Sequence, residues 1–146
     1  MMKSDQSKKD IVRAAIQRHV RNLESWRCTR LWDEGDPALK AELTAAHPLA
    51  DGELAILYSY IDPANWTLVT TQRIRYSTEG QVGSVAPSDV LSHHPHNFKG
   101  YGGQEVEHLE VRSRDGRSHH CPFETGIASM GTIYAVRTLC QITPAA

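Results

Sequence analysis

Five of the eight histidines fall in two short stretches. His93, His94 and His96 sit in one, and His119 and His120 sit beside Cys121 in the other. Neutral imidazole and thiolate are zinc ligands, and a zinc site takes three or four converging donors. If the two stretches met, the donors for a metal centre would gather there. The spacing matches no zinc-ligand pattern. On a strand, His119 and His120 point to opposite faces, so only one of them can join, and His120 is taken as the candidate beside His93, His94 and His96. The plainer alternative is a group of solvated imidazoles with no metal and no cofactor.

Arginine supplies the second chemistry. Arg73 and Arg75 are two residues apart, so on a strand they share a face. Lys99, Arg112, Arg114 and Arg117 lie in or near a hairpin further along. Together these cations would form a pocket for an anion or a partner. The alternative is that Arg73 makes a structural contact and the others are solvated. Asp62-Pro63-Ala64-Asn65, the first hairpin turn, carries no Lys or Arg, which argues against a phosphoinositide head group. Nucleophilic catalysis has less to stand on. Ser84, Ser88, Ser92 and Ser113 lack a nucleophile elbow, and there is neither a His-Glu-x-x-His motif nor a glycine-rich phosphate loop. Cys121 and His120 are neighbours, and neighbours on a strand diverge. The expectation is a protein without catalytic activity.

The composition agrees with a binding role. The chain of 146 residues is 40% hydrophobic and 23% charged, which fits one globular domain with a core of its own. A formal net charge of −1 makes nucleic acid an unsuitable partner. The three cysteines, Cys28, Cys121 and Cys140, are odd in number and far apart, a pattern of free thiols in a reducing cytoplasm. Neither a signal peptide nor a membrane span is expected.

The elements that must position these groups follow from periodicity. Val12, Ala15, Ile16, His19, Val20, Leu23 and Trp26 recur at helical spacing, predicting a five-turn amphipathic helix capped by Ser7, with frayed residues before it. Arg13, Arg18 and Arg21 lie on its other face. Such a helix can pack on its own body, dimerise or lie on an anionic surface, and packing on its own body is preferred. Asp36 and Pro37 predict the start of a second, short helix running to about Thr44. Strand alternation runs from Leu54 to Ile61. The central stretch Trp66 to Tyr76 reads as a pair of strands joined near Thr71-Gln72. Glu79-Gly80 makes the next turn, and Gln81 to Ala86 is a strand closed by Pro87. Residues 88–103 read as loop. Strands are predicted over Glu105–Arg112 and Ser118–Phe123, joined at Asp115-Gly116. A closing helix is predicted from about Glu124 to Cys140, with Ile127 in its apolar stripe.

From Gly52 to about Leu139 the order of elements resembles the pleckstrin-homology-like superfamily, in particular GRAM and bacterial PH-like domains. The resemblance rests on Gly52-Glu53 before the first strand and on Leu68-Val69-Thr70-Thr71-Gln72-Arg73-Ile74, similar to the signature of those domains. The turn at Gly80, Pro87-Ser88-Asp89-Val90, the Asp-Gly hairpin and the final helix complete it. The histidine-rich stretch 93–96 and the leader 1–50 lie outside the pattern. The resemblance implies an α+β, mainly β fold: a small antiparallel barrel of about seven strands capped by a C-terminal helix, behind an N-terminal helical extension. The expected division is extension 1–50, PH/GRAM-like domain 51–141 and tail 142–146, the tail disordered. The resemblance also implies a binding module, since that family is not enzymatic. The expectation is therefore contact with a protein partner, in the manner of an inhibitor or immunity-type protein. The alternatives are a metal-dependent enzyme using His93–His96 and an anionic-lipid binder using Arg73 and Arg75.

Overall fold

The computed structural model describes residues 3–144. The chain runs α1 (Asp5–His19), β1 (Thr29–Leu31), α2 (Pro37–Ala46), β2 (Ala55–Asp62), β3 (Asn65–Thr70), β4 (Ile74–Thr78), β5 (Gln81–Val85), β6 (Val90–His94), β7 (Val106–Ser113), β8 (Ser118–Glu124) and α3 (Ser129–Ile142). It is an α+β fold, mainly sheet, with antiparallel pairing throughout.

The strands form two sheets, β1-β2-β3-β4-β5 and β6-β7-β8. This corrects the expected barrel of about seven strands, because the ladders do not close. Side-chain hydroxyls hold the seam instead. Thr67 Oγ1 donates to the Pro122 carbonyl at 2.6 Å, the Thr78 hydroxyl donates to the His120 carbonyl, and the Glu124 N–H donates to Ser59 Oγ at 3.0 Å. The carbonyls of His120 and Pro122 therefore point away from β7. That is why β8 tolerates Pro122, expected to end the strand: its missing N–H lies on the side without a ladder.

The central stretch folds as its pattern requires. Trp66 and Leu68 share one face of β3, and Thr67 and Val69 share the other. Both faces are buried. On the Trp66 side, Leu43 of α2 joins Ala55, Tyr58, Trp66 and Leu68. On the other side Leu57, Val69 and Ile74 meet Leu109, Val111, Cys121 and Phe123 of the second sheet. The same cluster takes in Val12, Ile16, Val20, Trp26 and Leu31 from the leader and Ala135, Val136 and Leu139 from α3. The expected boundary at residue 50 has no counterpart in this packing. β1, absent from the sequence reading, adds the leader to the first sheet through Thr29↔Ser59 and Leu31↔Leu57.

Several boundaries differ for local reasons. Ser4, not Ser7, caps α1, its hydroxyl accepting the Ser7 N–H. The helix stops at His19, because Val20 is extended and Asn22 takes a left-handed φ of 56°. Trp26 reaches the core from outside the helix, and a Cβ at Gly131 would lie 2.5 Å from Trp26 Cη2, so the glycine lets α3 sit against the indole. Within 88–103, read as loop, Val90–His94 is a strand. Ile127 precedes α3 in a short 3-10 turn and is exposed. Gln141 and Ile142 complete α3, which shortens the expected tail; Ala145 and Ala146 lie outside the described residues, as do Met1 and Met2 at the expected frayed start.

Candidate binding face

The second sheet separates its side chains cleanly. Leu109, Val111, His119 and Cys121 point inward and are buried. The other register faces outward. His94 lies opposite Glu110, and Glu110 opposite His120, so the three form a row across β6, β7 and β8. Directly opposed residues have Cβ atoms about 5 Å apart. His96, in a left-handed conformation with φ 50°, returns to place Nε2 at 3.1 Å from Glu110 Oε1. The ring of His108 stands edge-on to that of His120, with centroids 6.3 Å apart. Arg112 Nε is 3.7 Å from Glu110 Oε2, and Ser118 Oγ donates to the same oxygen at 3.4 Å. The hydrogen bond from His96 and the nearby Arg112 hold the Glu110 carboxyl below its ordinary range. One carboxylate is thus encircled by imidazoles, a guanidinium and a hydroxyl.

This face runs into a groove of about 450 Å³ at the seam between the sheets, lined by Tyr76, Thr78, Val82, His108, Ser118 and His120. Sequence reasoning named His94, His96 and His120 and missed His108 and Glu110. Alternation along β7 and the Asp115-Gly116 turn were the signal: with that hairpin in register, Glu110 has to oppose His120. His93 lies apart from the row. It opposes Val111 and is half-buried, and burial lowers its pKa. Among the described residues, no three His, Cys, Asp or Glu side chains converge as metal ligands would.

The buried polar groups form closed networks. Tyr76 Oη and His119 Nδ1 are 2.7 Å apart, and His119 Nε2 and Ser113 Oγ are 3.2 Å apart. Ser113 Oγ also bonds to Asp115, whose carboxyl this bond holds below its ordinary range. An ionised carboxylate only accepts, so Ser113 donates to Asp115 and takes the N–H of His119 Nε2. Nδ1 then accepts from Tyr76. Proton order runs from tyrosine to aspartate, opposite to that of a histidine drawing a proton from serine. Burial lowers the pKa of His119 and so favours its neutral form.

The cations lie in separate places. Arg73 makes a bidentate pair with Glu53, through Nε at 3.1 Å and Nη2 at 2.6 Å. Buried Arg75 donates to the His47 and Pro48 carbonyls at 3.0 and 3.2 Å. Arg112 belongs to the histidine face. Arg114 and exposed Arg117 lie at the β7–β8 turn, and exposed Lys99 lies in the β6–β7 loop beside the Phe98 ring. Glu124 accepts from the N–H groups of Arg27 and Cys28 and from Thr29 Oγ1, pinning β1 to β8. The thiols are quenched: burial and then the Glu124 charge push Cys28 up to about 12, burial pushes Cys140 to about 11, and enclosed Cys121 is raised further still.

Compared with protein-family models, with curated proteins and with solved structures, the chain shows no match.

Proposed function

We propose that the chain is a non-catalytic binding module that contacts a protein partner through the outward face of β6-β7-β8, in the manner of an inhibitor or immunity-type protein of the cytoplasm. One observation carries this reading: His94, Glu110 and His120 stand in register on a sheet face, with His96, His108 and Arg112 around them. Imidazole both donates and accepts, and it has only two side-chain torsions to immobilise, so a row of them on a rigid sheet offers polar contacts at low entropic cost. The adjoining groove has room for a partner's side chain. The pleckstrin-homology-like kinship belongs to the same proposal, supported by a β-rich body followed by one helix packed on it.

The anion-pocket reading has less support, because Arg73 and Arg75 are engaged by Glu53 and by backbone carbonyls. The metal-dependent reading lacks three converging ligands among the described residues.

The test is capture of partners from the native cell by the tagged wild type and by His94→Ala/His120→Ala, with metal analysis of both samples. The expected result is one stoichiometric protein retained by the wild type and lost by the variant, without metal. One equivalent of zinc that disappears in the variant would overturn the reading in favour of metal chemistry. So would a partner that binds both proteins equally, since the face would then be idle.

A further inference from the structure

We propose that the open edge of β5 is a self-association site, where a second copy of this chain adds its own β5 antiparallel, across a two-fold axis at Gly83. The edge adjoins the groove beside the histidine face and shares Glu79, Gln81 and Val82 with its lining, but the proposal rests on the backbone of β5 and not on a partner held at that face.

β5 is hydrogen-bonded on one side only, to β4. Its two-residue turn, Glu79-Gly80, has φ of 50° and 84°, the left-handed pair of a type I′ hairpin. Such a turn makes Thr78 and Gln81 a hydrogen-bonded pair. The ladder alternates from there, so the N–H and C=O of Val82 and Ser84 point away from β4. Among the described residues nothing else bonds these groups. Exposed strand edges are normally blunted by charge, proline, bulges or brevity. β6 has a register shift at Leu91, and β1 has only three residues. β5 reads Gln-Val-Gly-Ser-Val: uncharged, regular in register, with Val82 54% exposed.

Pairing about Gly83 sets Val82 opposite the partner's Ser84 and the partner's Val82 opposite Ser84. Both are pairs whose backbone groups face each other, and no like charges are opposed. Beyond the strand, Glu79 of one copy comes alongside Pro87 and Ser88 of the other. There Arg114 Nε donates to the Ser88 carbonyl at 3.3 Å. Neither Glu79 nor Arg114 has an ion-pair partner among the described residues. Two-fold symmetry makes this acid–base match twice. An interface of one ladder is small, so the association is expected in the micromolar range.

Sedimentation equilibrium over roughly 1 μM to 1 mM spans that range. The wild type is expected to pass from monomer to dimer. Val82→Lys, an exposed change that circular dichroism will show to leave the fold intact, should weaken the dimer at least tenfold, and Gln81→Lys is the second edge variant. Glu79→Arg should also weaken it, and Glu79→Arg/Arg114→Glu should restore it. A wild type that stays monomeric throughout overturns the proposal and leaves the edge to a strand of another protein or to solvent. A dimer indifferent to Val82→Lys overturns it equally.

Discussion

A carboxylate taken out of water loses several kcal/mol of hydration unless donors meet it. The Glu53 side chain is fully enclosed and receives Arg73 twice, the Thr70 hydroxyl and the Ala50 N–H. Burial by itself would raise its pKa; these donors outweigh burial and hold it at about 2. The folded pKa is therefore below the unfolded one. Stability from this group is fully present above the unfolded value of about 4.3 and is lost as pH falls through the folded value. The contribution is about 3 kcal/mol, from a folded pKa of about 2 against about 4.3 unfolded. Glu53→Gln should cost about 2–4 kcal/mol at neutral pH, because it leaves Arg73 half-buried without its counter-charge. It should also remove this part of the acid dependence between pH 4.5 and 2. Urea midpoints at pH 7 and pH 3 decide: equal pH dependence in variant and wild type would refute the assignment. The charges of Arg73 and Arg75 were legible in the sequence and their partners were not. The partners lie 20, 28 and 27 residues away, distances at which periodicity carries no information.

Elements were legible where one physical signal dominated. Alternation set β2, β3 and β7, the Asp36-Pro37 pair set the start of α2, and Glu79-Gly80 and Asp115-Gly116 set their hairpins. β6 was hidden because histidine and serine are weak strand formers and Pro95 follows directly. With β6 unseen, the row His94–Glu110–His120 was hidden too, since a row across strands exists only once all three are in register. β1 was hidden because three residues show no period, and what holds it is a ladder to β2 and a carboxylate, both distant in sequence. That dependence is testable. Glu124→Ala leaves the N–H groups of Arg27 and Cys28 without their acceptor and the Thr29 hydroxyl with Ser59 Oγ alone, and should cost about 2–4 kcal/mol. It also removes one of the causes holding the Cys28 thiol at about 12. At pH 8 a disulfide reagent should modify Cys28 at least tenfold faster in the variant than in the wild type, and Glu124→Ala/Cys28→Ser should abolish the added reactivity. Unchanged thiol kinetics would mean that β1 stays docked without Glu124.

At the scale of the whole molecule, the question is whether residues 1–50 are an appendage or part of the domain. A boundary at residue 50 followed from the resemblance, which begins at Gly52 and treats what precedes it as an addition. The packing argues otherwise. Val12, Ile16, Val20, Trp26 and Leu31 of the leader are each at most 5% exposed, and they share one cluster with Leu57, Val69, Phe123 and Leu139. Fully burying a large aliphatic side chain is worth about 1.5–3 kcal/mol, so these residues together carry as much as the entire net stability of an ordinary domain. The leader contributes polar closure as well: Asp5 accepts from Thr71 Oγ1, and Asp33 pairs with Lys9 at 2.8 Å and Arg13 at 3.0 Å. Removing residues 1–50 would strip β2 of its β1 neighbour and uncover the side of α3 that meets α1 and Trp26. The truncated chain 51–146 is therefore expected not to fold: it should bind a hydrophobic dye, give poorly dispersed amide resonances and show no cooperative thermal transition. The full chain is expected to unfold in one step. Trp26 and Trp32 report on the leader and Trp66 on the central strands, so single-tryptophan versions should give coincident melts. A truncated chain with dispersed resonances and a sharp melt would restore the leader to the status of an appendage, and would free the basic face of α1 for a role of its own.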